Sequence, residues 1–113
     1  MRGLGPATVA ELEVHAAVYL ARRDLSTPED MRTALARLHD ASIAIIDCSD
    51  GEHLDFNFLL QLTKLRNHMW KRNGEVRLVI HSEDARRTLA VTGLDRTFTI
   101  FESISDAERI VGD

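Results

Sequence analysis

Ser42-Ile43-Ala44-Ile45-Ile46-Asp47 is the stretch on which the fold turns. Four consecutive apolar residues, three of them β-branched, leave no polar side for solvent. Such a strand is covered on both faces, as in the middle of a parallel sheet. Parallel neighbours need crossover helices, and the flanking sequence supplies one on each side. Upstream, Ser26-Thr27-Pro28-Glu29-Asp30 combines a hydroxyl cap, a proline for the first helical position and two acids for the positive end of the helix dipole. Met31, Ala34, Leu35 and Leu38 follow at i, i+3, i+4 and i+7, predicting a helix from 28 to about 39.

Downstream, polar residues crowd in: Asp47, Ser49, Asp50, Gly51, Glu52, His53 and Asp55. A second helix is expected from Asp55 or Asn57. Its inward stripe is Phe58, Leu62, Leu65 and Met69, flanked by Leu59. Its basic last turns carry Lys64, Arg66, His68, Lys71 and Arg72, and Asn73-Gly74 stops it. Val76–His81 reads as a strand. Ser82-Glu83-Asp84 opens a third helix, with Ala85, Leu89 and Ala90 on one side and Gly93 as its C-terminal signal. Thr97–Phe101 reads as a last strand, and Ser105 with Glu108 as a capping box for a terminal helix. At the other end, Val9–Val14 alternates imperfectly and Ala16–Ala21 is apolar, giving two strands or one bent strand after a loose start over residues 1–7. The expected order is β(β)αβαβαβα. This describes an α/β fold with a mostly parallel sheet of four to five strands and about four helices.

A chain of 113 residues fits one domain over 1–113. Its 44% hydrophobic and 28% charged residues are ordinary for a globular protein. With 18 acids against 14 bases, the net charge of −4 argues against a general nucleic-acid binder. A lone cysteine, Cys48, excludes an internal disulfide and suits a reducing compartment. No apolar run approaches the ~20 residues that span a bilayer, and the N-terminus has no signal-peptide core. A cytoplasmic domain without membrane insertion is expected.

No catalytic or cofactor site emerges from spacing. His15, His39, His53, His68 and His81 are scattered without ligand spacing, and the acidic loop matches no metal motif. Asp47 at a strand end resembles a phosphate-accepting aspartate. That chemistry also needs an acidic pair after the first strand and a lysine after the last, where Ala21-Arg22-Arg23 and Phe101-Glu102 stand instead. Cys48 reads as a small core residue. No catalytic, cofactor or metal residue is therefore assigned.

Several stretches in order resemble a STAS domain, the fold of the bacterial anti-sigma factor antagonists. They are Leu20-Ala21-Arg22-Arg23-Asp24, Ile45-Ile46-Asp47-Cys48-Ser49, Asn73-Gly74-Glu75-Val76, Arg86-Arg87-Thr88-Leu89 through Thr92-Gly93-Leu94-Asp95-Arg96, then Phe98, Ile100-Phe101 and Asp106-Ala107. The family's switch is an Asp-Ser-Ser-Gly-Leu-like motif at the start of the second helix, where an anti-sigma kinase phosphorylates a serine. A phosphate adds about 1.5 to 2 negative charges and breaks the partner complex. The matching stretch here is Asp55-Phe56-Asn57-Phe58-Leu59. Phe56 and Asn57 occupy the serine positions, and neither accepts a phosphoryl group.

The resemblance implies a non-catalytic module that docks on an anti-sigma factor of the serine-kinase type without the serine switch. The implied partner-binding residues are Asp24, Asp50, Glu52, Asp55, Phe56 and Asn57. Phe58 lies on the inward stripe, whereas Phe56 lies off it, and an exposed aromatic there is an interface anchor. Two other classes stay open: an accessory subunit of a transporter or lipid-transport ABC ATPase, and a small-ligand or nucleotide sensor using Arg22 and Arg23 beside the second helix. Self-association into a homodimer also stays open.

Overall fold

The computed structural model describes residues 17–49 and 53–109. Strand β1 (Ala17–Ala21) leads through a short 3-10 turn (Arg22–Leu25) to helix α1 (Pro28–Arg37). Strand β2 (Ile43–Asp47), helix α2 (Phe56–Trp70), strand β3 (Glu75–Val79), helix α3 (Glu83–Thr92), strand β4 (Thr99–Phe101) and helix α4 (Ile104–Ala107) follow. The strands form one sheet in the order β1-β2-β3-β4, with every pair parallel. Ile45 of β2 sits between Tyr19 of β1 and Arg77 of β3. The expected α/β architecture is therefore present. Val9–Val14, read from sequence as an early strand, lies outside the described residues.

Sequential strand order with crossovers of one sense puts α1, α2 and α3 on the same face of the sheet. There Leu20, Ala44, Ile46, Val76, Leu78 and Ile80 meet Met31 and Ala34 of α1 with Leu38 at its end, Phe58, Leu62, Leu65 and Met69 of α2, and Ala85 and Leu89 of α3. The opposite face carries a smaller cluster of Ile43, Ile45, Val79 and Ala107, with Ala17, Phe101 and Ile104 packed against it. That arrangement explains why residues 43–46 of β2 are apolar without a break: their alternate side chains feed two cores.

Local chemistry sets the helix ends. The Thr27 hydroxyl accepts from the Asp30 amide at 3.0 Å, and Pro28 follows at the first helical position. The Ser82 hydroxyl accepts from the Ala85 amide at 3.2 Å, and α3 stops at Gly93 with φ 79°. Two expectations shift. The last strand begins at Thr99 rather than Thr97, because Thr97 closes the 3-10 turn Leu94–Arg96 and Phe98 turns into the larger core. The cap of α4 is Ser103 rather than Ser105; its hydroxyl accepts from the Asp106 amide at 3.0 Å. Two serines at neighbouring odd positions satisfy the same sequence signal, and the end of β4 selects the earlier one.

Between α2 and β3 the chain turns within Asn73 (φ 63°) and Gly74. The Gly74 amide donates to the Met69 carbonyl at 2.8 Å, and Glu75 N donates to the Ser42 carbonyl at 3.0 Å. A Cβ at Gly74 would lie 2.8 Å from the Met69 methyl and 3.1 Å from the Ser42 carbonyl oxygen. Glycine is required here by close approach rather than by backbone angle.

Candidate functional site

The carboxyl ends of β1 and β2 and the start of α2 meet at one end of the sheet, where open parallel sheets commonly present their functional groups. The first turn of α2 is built by Asp55, whose Oδ1 accepts from the Phe58 amide at 2.8 Å. This cap fixes the helical phase, and the phase separates the two aromatics. Phe58 turns into the core at 6% exposure, while Phe56 points outward at 74%. Asn57 beside it is exposed.

The neighbouring turn after β1 is locked to this helix start. The Asp24 carboxylate folds back to accept from the Ala21 amide at 2.8 Å, holding the 3-10 turn and leaving Asp24 partly buried. Arg22 extends from that turn, donates to the His53 carbonyl at 2.8 Å and stacks over the Phe58 ring at 4.5 Å from its centroid. A shallow cavity of about 200 Å³ opens between the two segments, lined by Arg22, Leu25, Ser26, Asp55, Asn57 and Phe58.

Of the six residues expected to bind a partner, Asp55, Phe56 and Asn57 sit together at the start of α2, whereas Asp24, in the turn after β1, lines a separate cavity with Tyr19, Ile45, Asp47 and Ile104; Asp24 and Asp55 also brace the backbone. Asp50 and Glu52 lie outside the described residues. Asp47, at the end of β2, accepts from the Ser49 amide at 3.0 Å and from its hydroxyl at 2.5 Å. That closes a tight local turn, the usual use of an aspartate before a serine. The Arg22 bridge was not legible as a bridge; in the sequence the two adjacent arginines read as charge offered to a ligand beside the second helix. Its only sequence signal is the pairing of a basic turn with an aromatic that sits on the inward stripe.

Cys48 is buried, and its amide donates to the Val79 carbonyl at 2.9 Å, consistent with a core position. His53 is exposed, with Nδ1 3.3 Å from Asp84 Oδ2. Among the described residues no group of three or more His, Cys, Asp or Glu side chains is placed to hold a metal ion. What this end offers is a rigid, capped helix start presenting one large aromatic, one amide and carboxylates: chemistry for recognition.

The comparisons bear on the fold and the family. The model of the STAS domain matches residues 12–107. A solved structure titled "NMR Structure of the protein TM1081" superposes with a TM-score of 0.64 at 23% identity, covering 81% of this chain and 78% of that one. At that identity the likeness shows the fold. No curated protein matches the chain. The chain belongs to the STAS domain family, and it is an anti-sigma factor antagonist-like module of a class that is generally regulatory and non-catalytic. Among the described residues no helix is long and apolar enough to cross a membrane.

Proposed function

We propose that the chain, as one STAS-like domain over residues 1–113, docks on an anti-sigma factor of the serine-kinase type in the bacterial cytoplasm and holds it without being released by phosphorylation. The observation that carries this reading is Phe56, a large aromatic 74% exposed on the first turn of α2, at a position where the family places a phosphorylatable serine. An aromatic held rigidly at a helix start buries large area at low entropic cost. With Asn57 beside it, neither family serine position carries a hydroxyl to receive a phosphoryl group. The proposed interface includes Asp55 and Asn57 beside this anchor and, from the sequence reading, Asp24, Asp50 and Glu52. Sequestering the anti-sigma factor would free its sigma factor, so cellular amount rather than phosphorylation would set the output.

The test is affinity capture from the native host with the full chain as bait, with and without ATP. Retention of an anti-sigma kinase under both conditions is expected. Retention of a transport ATPase instead, or of no kinase, would overturn the proposal.

A further inference from the structure

The outward ridge of α2 differs in charge from the rest of the molecule. From Phe56 to Gly74 the chain contains no carboxylate, yet it carries Lys64, Arg66, His68, Lys71 and Arg72 in a protein of net charge −4. Among the described residues none of these cations ion-pairs with a carboxylate. On α3 the opposite holds: Arg86 bonds Glu102 at 3.2 Å and Arg87 bonds Asp84 at 3.1 Å. Two of these cations use neutral partners instead. Arg66 donates to the Asn67 amide oxygen and lies over the Trp70 ring, 4.6 Å from its centroid, with Phe98 at 5.8 Å. Arg72 donates to the Leu38 carbonyl at 2.7 Å. The local field registers on His68, whose pKa is lowered by burial and then by Arg72, Lys71 and His39.

Trp70 is 51% exposed at the far end of the ridge, and Phe56 and Leu60 are exposed at its start. At 3.6 residues per turn, Phe56, Leu60, Lys64, Asn67 and Lys71 share one outward face, with Trp70 on its flank. A guanidinium stacked on an aromatic is held flat, so it meets a carboxylate with less ordering cost than a free one.

From this charge complementarity we infer that the outer ridge of α2 is a docking surface for an acidic segment of a partner protein, apolar at the end that meets Phe56 and Leu60 and acidic over Lys64–Lys71, with Trp70 as its second anchor. The ridge spans about 22 Å along the helix axis, the reach of about seven extended residues. A nucleic acid is the poorer match, because its uniform charge gains nothing from Phe56 and Leu60 and is repelled by the net negative surface. The inference is independent of whether the partner is an anti-sigma kinase.

Trp70 is the single tryptophan of the chain, so its fluorescence reports directly on the ridge. The full chain would be titrated with four probes of matched length: a peptide with two leucines followed by glutamates, an all-glutamate peptide, a leucine–lysine peptide and a single-stranded oligonucleotide. A blue shift with the leucine–glutamate peptide, weaker with glutamate alone and absent with the other two, is expected. Lys64→Glu/Lys71→Glu, both at exposed sites, should weaken that binding by about tenfold or more. No response to the leucine–glutamate peptide, an unchanged affinity in the charge-reversed variant, or equal or tighter binding of the oligonucleotide would overturn the inference.

Discussion

Arg77 is a charged residue buried at 1% exposure in the middle of β3, and its removal should detach the C-terminal helix before it unfolds the core. Its guanidinium donates to both Glu75 oxygens, at 3.0 and 3.3 Å, and to the carbonyls of Ala107 and Arg109, at 2.7 and 2.8 Å. It therefore ties the end of α4 to the sheet face where Ile43, Ile45 and Val79 form the smaller core. Helix α4 is one turn long and cannot persist alone. Breaking a buried ion pair usually costs 3–5 kcal/mol. Glu75 is 41% exposed and can rehydrate once its partner is gone, which places Arg77→Ala at the lower end, about 3 kcal/mol. For a domain of this size that is a fall in Tm on the order of 10–15 °C. Arg77→Met, which keeps the buried volume and removes the charge, should lose about half as much. Urea unfolding followed by circular dichroism gives the global loss, and amide exchange at Ala107–Arg109 gives the local one. A loss below about 0.5 kcal/mol for Arg77→Ala, or exchange at α4 that rises no faster than in β2, would refute this account of the latch.

The aromatic pair at the start of α2 should separate cleanly in stability: Phe58→Ala is expected to cost about 3–5 kcal/mol, whereas Phe56→Ala should stay within about 0.5, both read from denaturation midpoints. Asp55→Ala should cost about 1 kcal/mol through loss of the cap to the Phe58 amide. Gly74→Ala should be more damaging than Gly93→Ala, about 2 against about 1 kcal/mol. The first meets the Met69 methyl and the Ser42 carbonyl, and the second meets open space at a strained φ of 79°. Glu108, accepting from the Tyr19 hydroxyl, together with burial and its own charge, pushes the Tyr19 pKa from 10.0 up to about 12. The folded state thus holds that proton more tightly, so the contribution is intact below pH 10 and fades between about 10 and 12; Tyr19→Phe should flatten this alkaline slope in pH-dependent unfolding. His68, lowered from 6.5 by burial and by Arg72, Lys71 and His39, has the opposite sign: the unfolded chain binds the proton better. Stability should therefore fall as pH drops below 6.5, and less steeply in His68→Gln.

What could be read from residues was what local chemistry and periodicity decide. The two-sided apolar run of β2, the Thr27-Pro28 start, the Asn73-Gly74 turn and the Gly93 stop each act within a few residues, and all appear in the structure. The split between Phe56 and Phe58 was also legible, because helical phase places one off the stripe that the other joins. Arg77 was not. Nothing within Val76-Arg77-Leu78 marks the arginine as buried; α4, some 30 residues later in the chain, accepts its hydrogen bond on that face. The cap of α4 slipped by two residues for a related reason: the length of β4 follows from where Phe98 enters the core. Of the candidate site, the neighbourhood of Asp55, Phe56 and Asn57 at the start of α2 was legible from helical phase and capping. The Arg22 link to His53 and Phe58 that holds the neighbourhood together was not.

The central claim is that α2 begins with a partner anchor that phosphorylation cannot reverse. It is tested most directly by titrating the retained anti-sigma kinase against wild type, Phe56→Ala and Phe56→Ser/Asn57→Ser, each with and without ATP. The account predicts that wild type binds equally under both conditions, that Phe56→Ala loses about 2 kcal/mol, or about thirtyfold in Kd, and that only the serine-bearing form is released by ATP. Release of wild type by ATP, or undiminished binding by Phe56→Ala, would contradict it.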